Sequence, residues 1–221
     1  MRAYYSAARF AAAGVLGLLS GWKVRGSENI PREGGVIVAS NHVSFWDPPL
    51  VGAAILREVH FLAKEELFST PLLGTLIRSV NAIPIRRGAA DLSGLARAID
   101  TLKRGGALLL FPEGSRMRDG ELHPARPGLG MISVQADVPI VPCYISGSAH
   151  PRRWLLRRSR VRIWFGAVRD WRDLVGHDAV GVGHLTLWIR VGLDVFGNRR
   201  LTLKRGFDAD IRRINRNVKS Q

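Results

Sequence analysis

The segment Asn41-His42-Val43-Ser44-Phe45-Trp46-Asp47 sets a histidine and an aspartate five residues apart, directly after the apolar run Val36–Ser40. A histidine at a strand end, where the next element begins, turns its ring into a crevice rather than into the core. Five steps of ~100° around a regular helix would leave Asp47 far from His42. An irregular first turn would bring them together. Asp47 would then accept from one ring nitrogen, fixing the tautomer, and the other nitrogen would serve as a general base. A surface histidine followed by a helix-capping aspartate is the bland reading of the same spacing. A second segment, Phe111-Pro112-Glu113-Gly114-Ser115-Arg116, follows the apolar run Ala107–Leu110 and gathers a carboxylate, a glycine and a guanidinium. Gly114 allows close backbone approach, and Arg116 can grip a phosphate through two parallel bonds. A plain turn closed by a Glu113–Arg116 ion pair fits those residues equally well. Two further segments are Ile83-Pro84-Ile85-Arg86-Arg87, ending in a guanidinium pair, and Val138-Pro139-Ile140-Val141-Pro142-Cys143. Prolines inside the second apolar run predict an edge strand or a cavity wall, and core packing explains the run equally well.

These residues need a scaffold, and the patterning supplies one. Short apolar runs at Val36–Ser40, Val59–Leu62, Val80–Ile85, Ala107–Phe111, Val138–Ser146 and Val161–Phe165, bounded by Gly, Pro or Asn, read as buried strands. Between them Asp91 caps a helix carrying Leu92, Leu95, Ala96, Ile99 and Leu102 at helical spacing, with Lys103 and Arg104 at its negative end and Gly105 as its stop. Pro49–Arg57, Glu66–Ile77 and Pro127–Ala136 are further predicted helices. The alternation predicts an α/β fold with a mixed, partly parallel sheet flanked by helices. Residues 185–196 alternate with strand period, while Leu185, Trp188, Ile189 and Phe196 also fit one helical face, and the stretch after Asn198 is basic, with Asp208 and Asp210 its only acids. A solvated terminal helix and a phosphate or headgroup contact both suit that tail. The expected organisation is an N-terminal helix over 1–23, a catalytic domain over 24–170 and a basic extension over 171–221.

The chain has 221 residues, 46% of them hydrophobic, and 33 Lys+Arg against 18 Asp+Glu give a net charge of +15. Its length supports a real core, and its composition excludes a disordered chain or a polytopic membrane protein. The single cysteine, Cys143, excludes a disulfide framework or a multi-cysteine zinc site. No histidine stands at metal-ligand spacing, so no metal is expected. The charge calls for a polyanionic partner, nucleic acid or an anionic membrane. Zinc-finger spacing and an aromatic ribonucleoprotein signature are both missing, so the membrane is the expected partner and nucleic acid is not. Phe10–Trp22 carries no charge and is flanked by Arg9 and Lys23. At ~1.5 Å per residue it reaches about 20 Å, short of the ~30 Å hydrocarbon core. With Tyr4, Tyr5 and Trp22 near its ends, it is expected to lie in the interface rather than span it. A buried helix and a secretory signal compete with that reading.

Taken together and in order, NHVSFWD, AIPIRR, FPEGSR and VPIVPC resemble the four motif blocks of the glycerolipid acyltransferase family, over about Val24 to Phe165. The resemblance implies that His42 is the general base and Asp47 its orienting partner. It implies that Glu113, Gly114 and Arg116 hold a phosphorylated acceptor, with Lys64 and Arg86 reaching the same phosphate and Asn41, Ser44 and Ser115 in support. The implied reaction moves an acyl group directly from a thioester, acyl-CoA or acyl carrier protein, to the free hydroxyl of lysophosphatidate. It needs no further cofactor, and the expected location is the cytoplasmic face of a membrane bearing anionic lipids. Ser115 stands where the family has threonine and keeps the hydroxyl. Asn81 stands where a small residue or glycine is usual, which bears on acceptor choice.

Overall fold

The computed structural model describes residues 3–86, 91–117 and 128–174. Seven strands form one sheet in the order β1-β7-β6-β2-β5-β3-β4. They are β1 (Lys23–Arg25), β2 (Val36–Ser40), β3 (Val59–Lys64), β4 (Ala82–Ile85), β5 (Ala107–Leu110), β6 (Ile140–Ser146) and β7 (Arg162–Phe165). Neighbours among β6, β2, β5, β3 and β4 pair in parallel, while β7 runs antiparallel to β6 and carries β1 parallel to itself. Central β2 and β5 are buried at every position, which is why they appear in the sequence as unbroken apolar runs.

The helices are α1 (Ala3–Ser20), α2 (Asp47–Ala54), α3 (Pro71–Ser79), α4 (Leu92–Lys103), α5 (Gly128–Ala136), α6 (Pro151–Leu155) and α7 (Trp171–Leu174). Strand residues alternate between two cores. Val36, Val38, Leu109, Val141 and Cys143 pack with α1, α2 and Trp154 of α6. Ile37, Ala39, Leu108, Leu110 and Ile140 face the other way, onto α4 and α5. The α4 cap forms as its sequence predicts, with the Asp91 side chain accepting from the Gly94 N–H. Pro71 splits the expected Glu66–Ile77 helix into a 3-10 turn, Glu65–Ser69, and α3.

α1 is both a core element and a surface. Tyr5 and Leu16 are buried in the first core, and the Tyr5 hydroxyl bonds both the carbonyl and the N–H of Val59. The helix rises from that end of the sheet to the opposite edge, where Val161 N–H donates to the Ser20 carbonyl. Its outward face carries Tyr4, Phe10, Val15 and Leu18, all well exposed. Among the described residues, no helix is long and apolar enough to cross a membrane.

Two expectations need correction. β6 is not an edge strand, since it lies between β2 and β7. Pro142 is accommodated where the antiparallel register slips by one residue, between the Ile140–Arg169 bridge and the Cys143–Phe165 pair, so its missing N–H interrupts no ladder. Pro84, by contrast, does sit on an edge strand, β4. Asn81 proves to be a turn residue: it adopts a left-handed backbone (φ 64) at the start of β4, the end of the strand remote from Arg86. That conformation favours glycine and tolerates asparagine. The alternating stretch 185–196 and the basic tail lie outside the described residues.

Candidate active site

β2 and β5 are neighbours, yet the chain leaves their carboxyl ends toward opposite faces, to α2 after β2 and to α5 after β5. Ligand crevices of open α/β sheets form at such a divergence. His42 occupies the loop after β2, and the 111–117 segment occupies the end of β5.

The His42–Asp47 pair is formed. His42 Nδ1 lies 3.0 Å from Asp47 Oδ2, with both residues buried. The same oxygen accepts the N–H groups of Val43 and Ser44, each at 2.7 Å. An ionised carboxylate only accepts, so Nδ1 carries the proton and Nε2 keeps its lone pair. The irregular turn exists because Asp47, first residue of α2, folds the four preceding residues around its own carboxylate. Asp47 Oδ1 is buried and has no hydrogen-bond partner among the described residues. The His42 ring stacks on Phe111, with centroids 4.2 Å apart.

The histidine's backbone is held from both sides by the segment after β5. Glu113 Oε2 accepts the His42 N–H at 2.9 Å, and the Met117 N–H donates to the His42 carbonyl at 2.8 Å. Gly114 has φ 69, a left-handed conformation that brings this segment back over the loop. Asn41 ties the loop to β6, donating to the Ile145 carbonyl at 3.0 Å and accepting its N–H at 2.8 Å. Ser44 Oγ accepts the Trp46 N–H, while Ser115 is half-buried beside exposed Arg116.

Lys64 and Arg86 stand at the carboxyl ends of β3 and β4, and both are exposed. Arg86 Nε lies 3.6 Å from Glu65 Oε2. Its backbone N–H donates to Asp91 Oδ2 at 2.8 Å. That bond, with those from Gly94 N–H and the Ser93 hydroxyl, holds the Asp91 carboxyl far below the usual carboxylate range. Strands are ~4.8 Å apart, so about 14 Å of edge separates the end of β2 from that of β4. The sheet therefore lines up an imidazole, the Arg116 segment, Lys64 and Arg86 along one rim.

Two contributors escaped the sequence reading. Phe111, noticed only as a strand end, is the floor under His42. Trp154 of α6 meets Trp46 of the His42–Asp47 loop edge to face, with centroids 5.6 Å apart. Cys143 lies behind Ser40 at the end of β2, fully buried, and burial pushes its thiol up to about 12. Native protein at pH 8 should therefore leave Ellman's reagent uncoloured, with one thiol appearing on unfolding; rapid modification of the folded chain would contradict this burial.

The chain belongs to the Acyltransferase family, whose sequence pattern matches residues 21–146. It is accordingly an acyltransferase. It is 29% identical over 153 residues to the 1-acyl-sn-glycerol-3-phosphate acyltransferase of Bacillus subtilis, a match covering 69% of this chain and 75% of that one. It is 37% identical over 126 residues to the lyso-ornithine lipid O-acyltransferase of Pseudomonas aeruginosa, covering 57% and 48%. The crystal structure of the 1-acyl-sn-glycerophosphate (LPA) acyltransferase PlsC from Thermotoga maritima superposes with a TM-score of 0.70 at 27% identity, covering 88% of this chain and 80% of that one.

Proposed function

We propose that this enzyme transfers an acyl group from a thioester, acyl-CoA or acyl carrier protein, to the free hydroxyl of lysophosphatidate at an anionic membrane surface on the cytoplasmic side, giving phosphatidate. The observation that carries the reading is the 3.0 Å His42–Asp47 bond on a rim that also holds three cationic side chains. His42 Nε2 takes the hydroxyl proton as the oxygen attacks the thioester carbonyl. The buried Asp47 carboxylate stabilises the imidazolium so formed. Collapse of the tetrahedral intermediate expels the thiolate, which takes that proton from Nε2. No acyl-enzyme is formed and no cofactor is consumed.

Arg116, Lys64 and Arg86 are assigned to the acceptor's phosphate, with Gly114 and Ser115 shaping the approach. Glu113 is better placed as a positioning residue than as a phosphate ligand. Its carboxylate engages the His42 backbone and would repel a phosphate. Asn41 and Ser44 support the loop. A lyso-ornithine lipid acceptor is the second reading, favoured by the 37% identity to the Pseudomonas enzyme.

A panel of lysolipids offered with one acyl thioester, with products identified by mass spectrometry, separates the two. Lysophosphatidate is expected to be acylated fastest, since three rim cations over-provide charge for a neutral acceptor. A clear preference for an acceptor without a terminal phosphate would overturn the acceptor assignment and leave the acyltransferase standing.

A further inference from the structure

Residues 147–161 form an excursion that leaves β6 and returns through β7 at the catalytic edge, because Ser146 pairs with Arg162. The excursion lies beyond the stretch that the family pattern matches. Gly147 starts it with φ 80 at a point where a Cβ would strike the Arg160 carbonyl. Its inner side is anchored by Trp154, fully buried against Trp46 of the His42–Asp47 loop. Its outer side is unlike an ordinary solvated turn. Arg152, Arg153, Arg157 and Arg158 are all exposed, with Leu155 and Leu156 exposed between them. No acidic residue occurs from 147 to 169, and among the described residues none of these guanidiniums is paired with a carboxylate. Arg157 donates to the Leu18 carbonyl at 2.9 Å, so the excursion adjoins the upper end of α1 and its bare apolar face.

Mutually repelling guanidiniums interleaved with leucines are poorly served by water alone. An acidic soluble protein would neutralise the charge and leave the leucines and the α1 face uncovered. An anionic bilayer satisfies both, taking the guanidiniums at its headgroups and the apolar side chains just beneath. We propose that the 147–161 excursion, together with the adjoining outer face of α1, docks on an anionic lipid bilayer and sets the catalytic edge against its surface. The inference rests on the membrane reading above and adds to it the contact surface and a direct mechanical link, through Trp154 and Trp46, to the catalytic loop.

The test is co-sedimentation of the full chain with phosphatidylglycerol or phosphatidylcholine vesicles at about 0.1 M salt. The wild type should partition onto the anionic vesicles and be released as salt is raised. The triple variant R152Q/R153Q/R158Q should partition at least about tenfold less, since each basic side chain near an anionic surface contributes roughly fivefold. The matching triple lysine variant should bind like the wild type. Arg157 is left intact because it ties the excursion to α1, and unchanged melting temperatures check the fold. Wild type and glutamine variant binding anionic vesicles equally would overturn this inference alone. Wild type ignoring every vesicle would overturn the membrane reading along with it. Unchanged vesicle binding, with turnover lost only when acyl carrier protein is the donor, would make the excursion a carrier-protein contact instead.

Discussion

Replacing His42 with alanine is expected to lower turnover by ~10²–10⁴-fold, the usual range for a lost general base. Among the described residues it is the one group that combines an oriented ring with a position on the rim. Asp47→Ala should be comparably damaging for two reasons. It removes the charge that stabilises the imidazolium, and it strands the Val43 and Ser44 N–H groups that share Oδ2. Asp47→Asn separates those effects, because an amide oxygen still accepts from the loop while the charge is gone. The measurement is release of free thiol from an acyl thioester in the presence of lysophosphatidate, on variants whose melting matches the wild type. Near-normal turnover by His42→Ala would remove the mechanism altogether.

Arg116→Ala should act on binding rather than on the chemical step. A charge-assisted hydrogen bond to phosphate is worth about 1.5–3 kcal/mol, so KM for lysophosphatidate should rise tenfold to about a hundredfold with kcat little changed. Arg116 is exposed at the rim, so among the described residues the alanine disturbs no buried contact. An unphosphorylated monoacylglycerol, which never made the contact, should be handled alike by both proteins. An unchanged KM for lysophosphatidate would remove Arg116 from the phosphate site.

The central strands were legible because burial on both faces writes itself as an unbroken apolar run, as in Val36–Ser40 and Ala107–Leu110. The α4 helix was legible because Asp91 states the cap and Leu95, Ile99 and Leu102 line the side that packs into the second core, although Leu92 and Ala96, read with them, face solvent. β1 was not, since Lys23-Val24-Arg25 is a three-residue edge with one half-buried side chain and no run to detect. α6 escaped for a related reason. Its burial depends on one tryptophan, and the arginines around Trp154 make the stretch look like solvent-facing turn. Pro142 misled because proline usually marks an edge, whereas a one-residue register slip hides the missing N–H in mid-sheet. At the site, sequence supplied the residue types and order, but not the hydrogen bond that Glu113 makes. Its contact with the His42 N–H depends on how β2 and β5 lie side by side, and no local pattern encodes that.

The reversal of β7 has a consequence for how the chain is made. Among the described residues β1 finds its one ladder partner in β7, and Leu18 its contact in Arg157, 139 residues later. At ~5–20 residues per second, roughly 7 to 30 s pass between synthesis of the first partner and the second. During that interval α1 can settle on α2, but β1 has an open edge and the rim above His42 is unfinished. The catalytic loop gains Asn41's tie to Ile145 and the Trp46–Trp154 contact only as β6 and α6 emerge. The nascent chain thus lacks a complete rim until nearly all of the sheet has left the ribosome, and β1 is the element that waits longest for its partner.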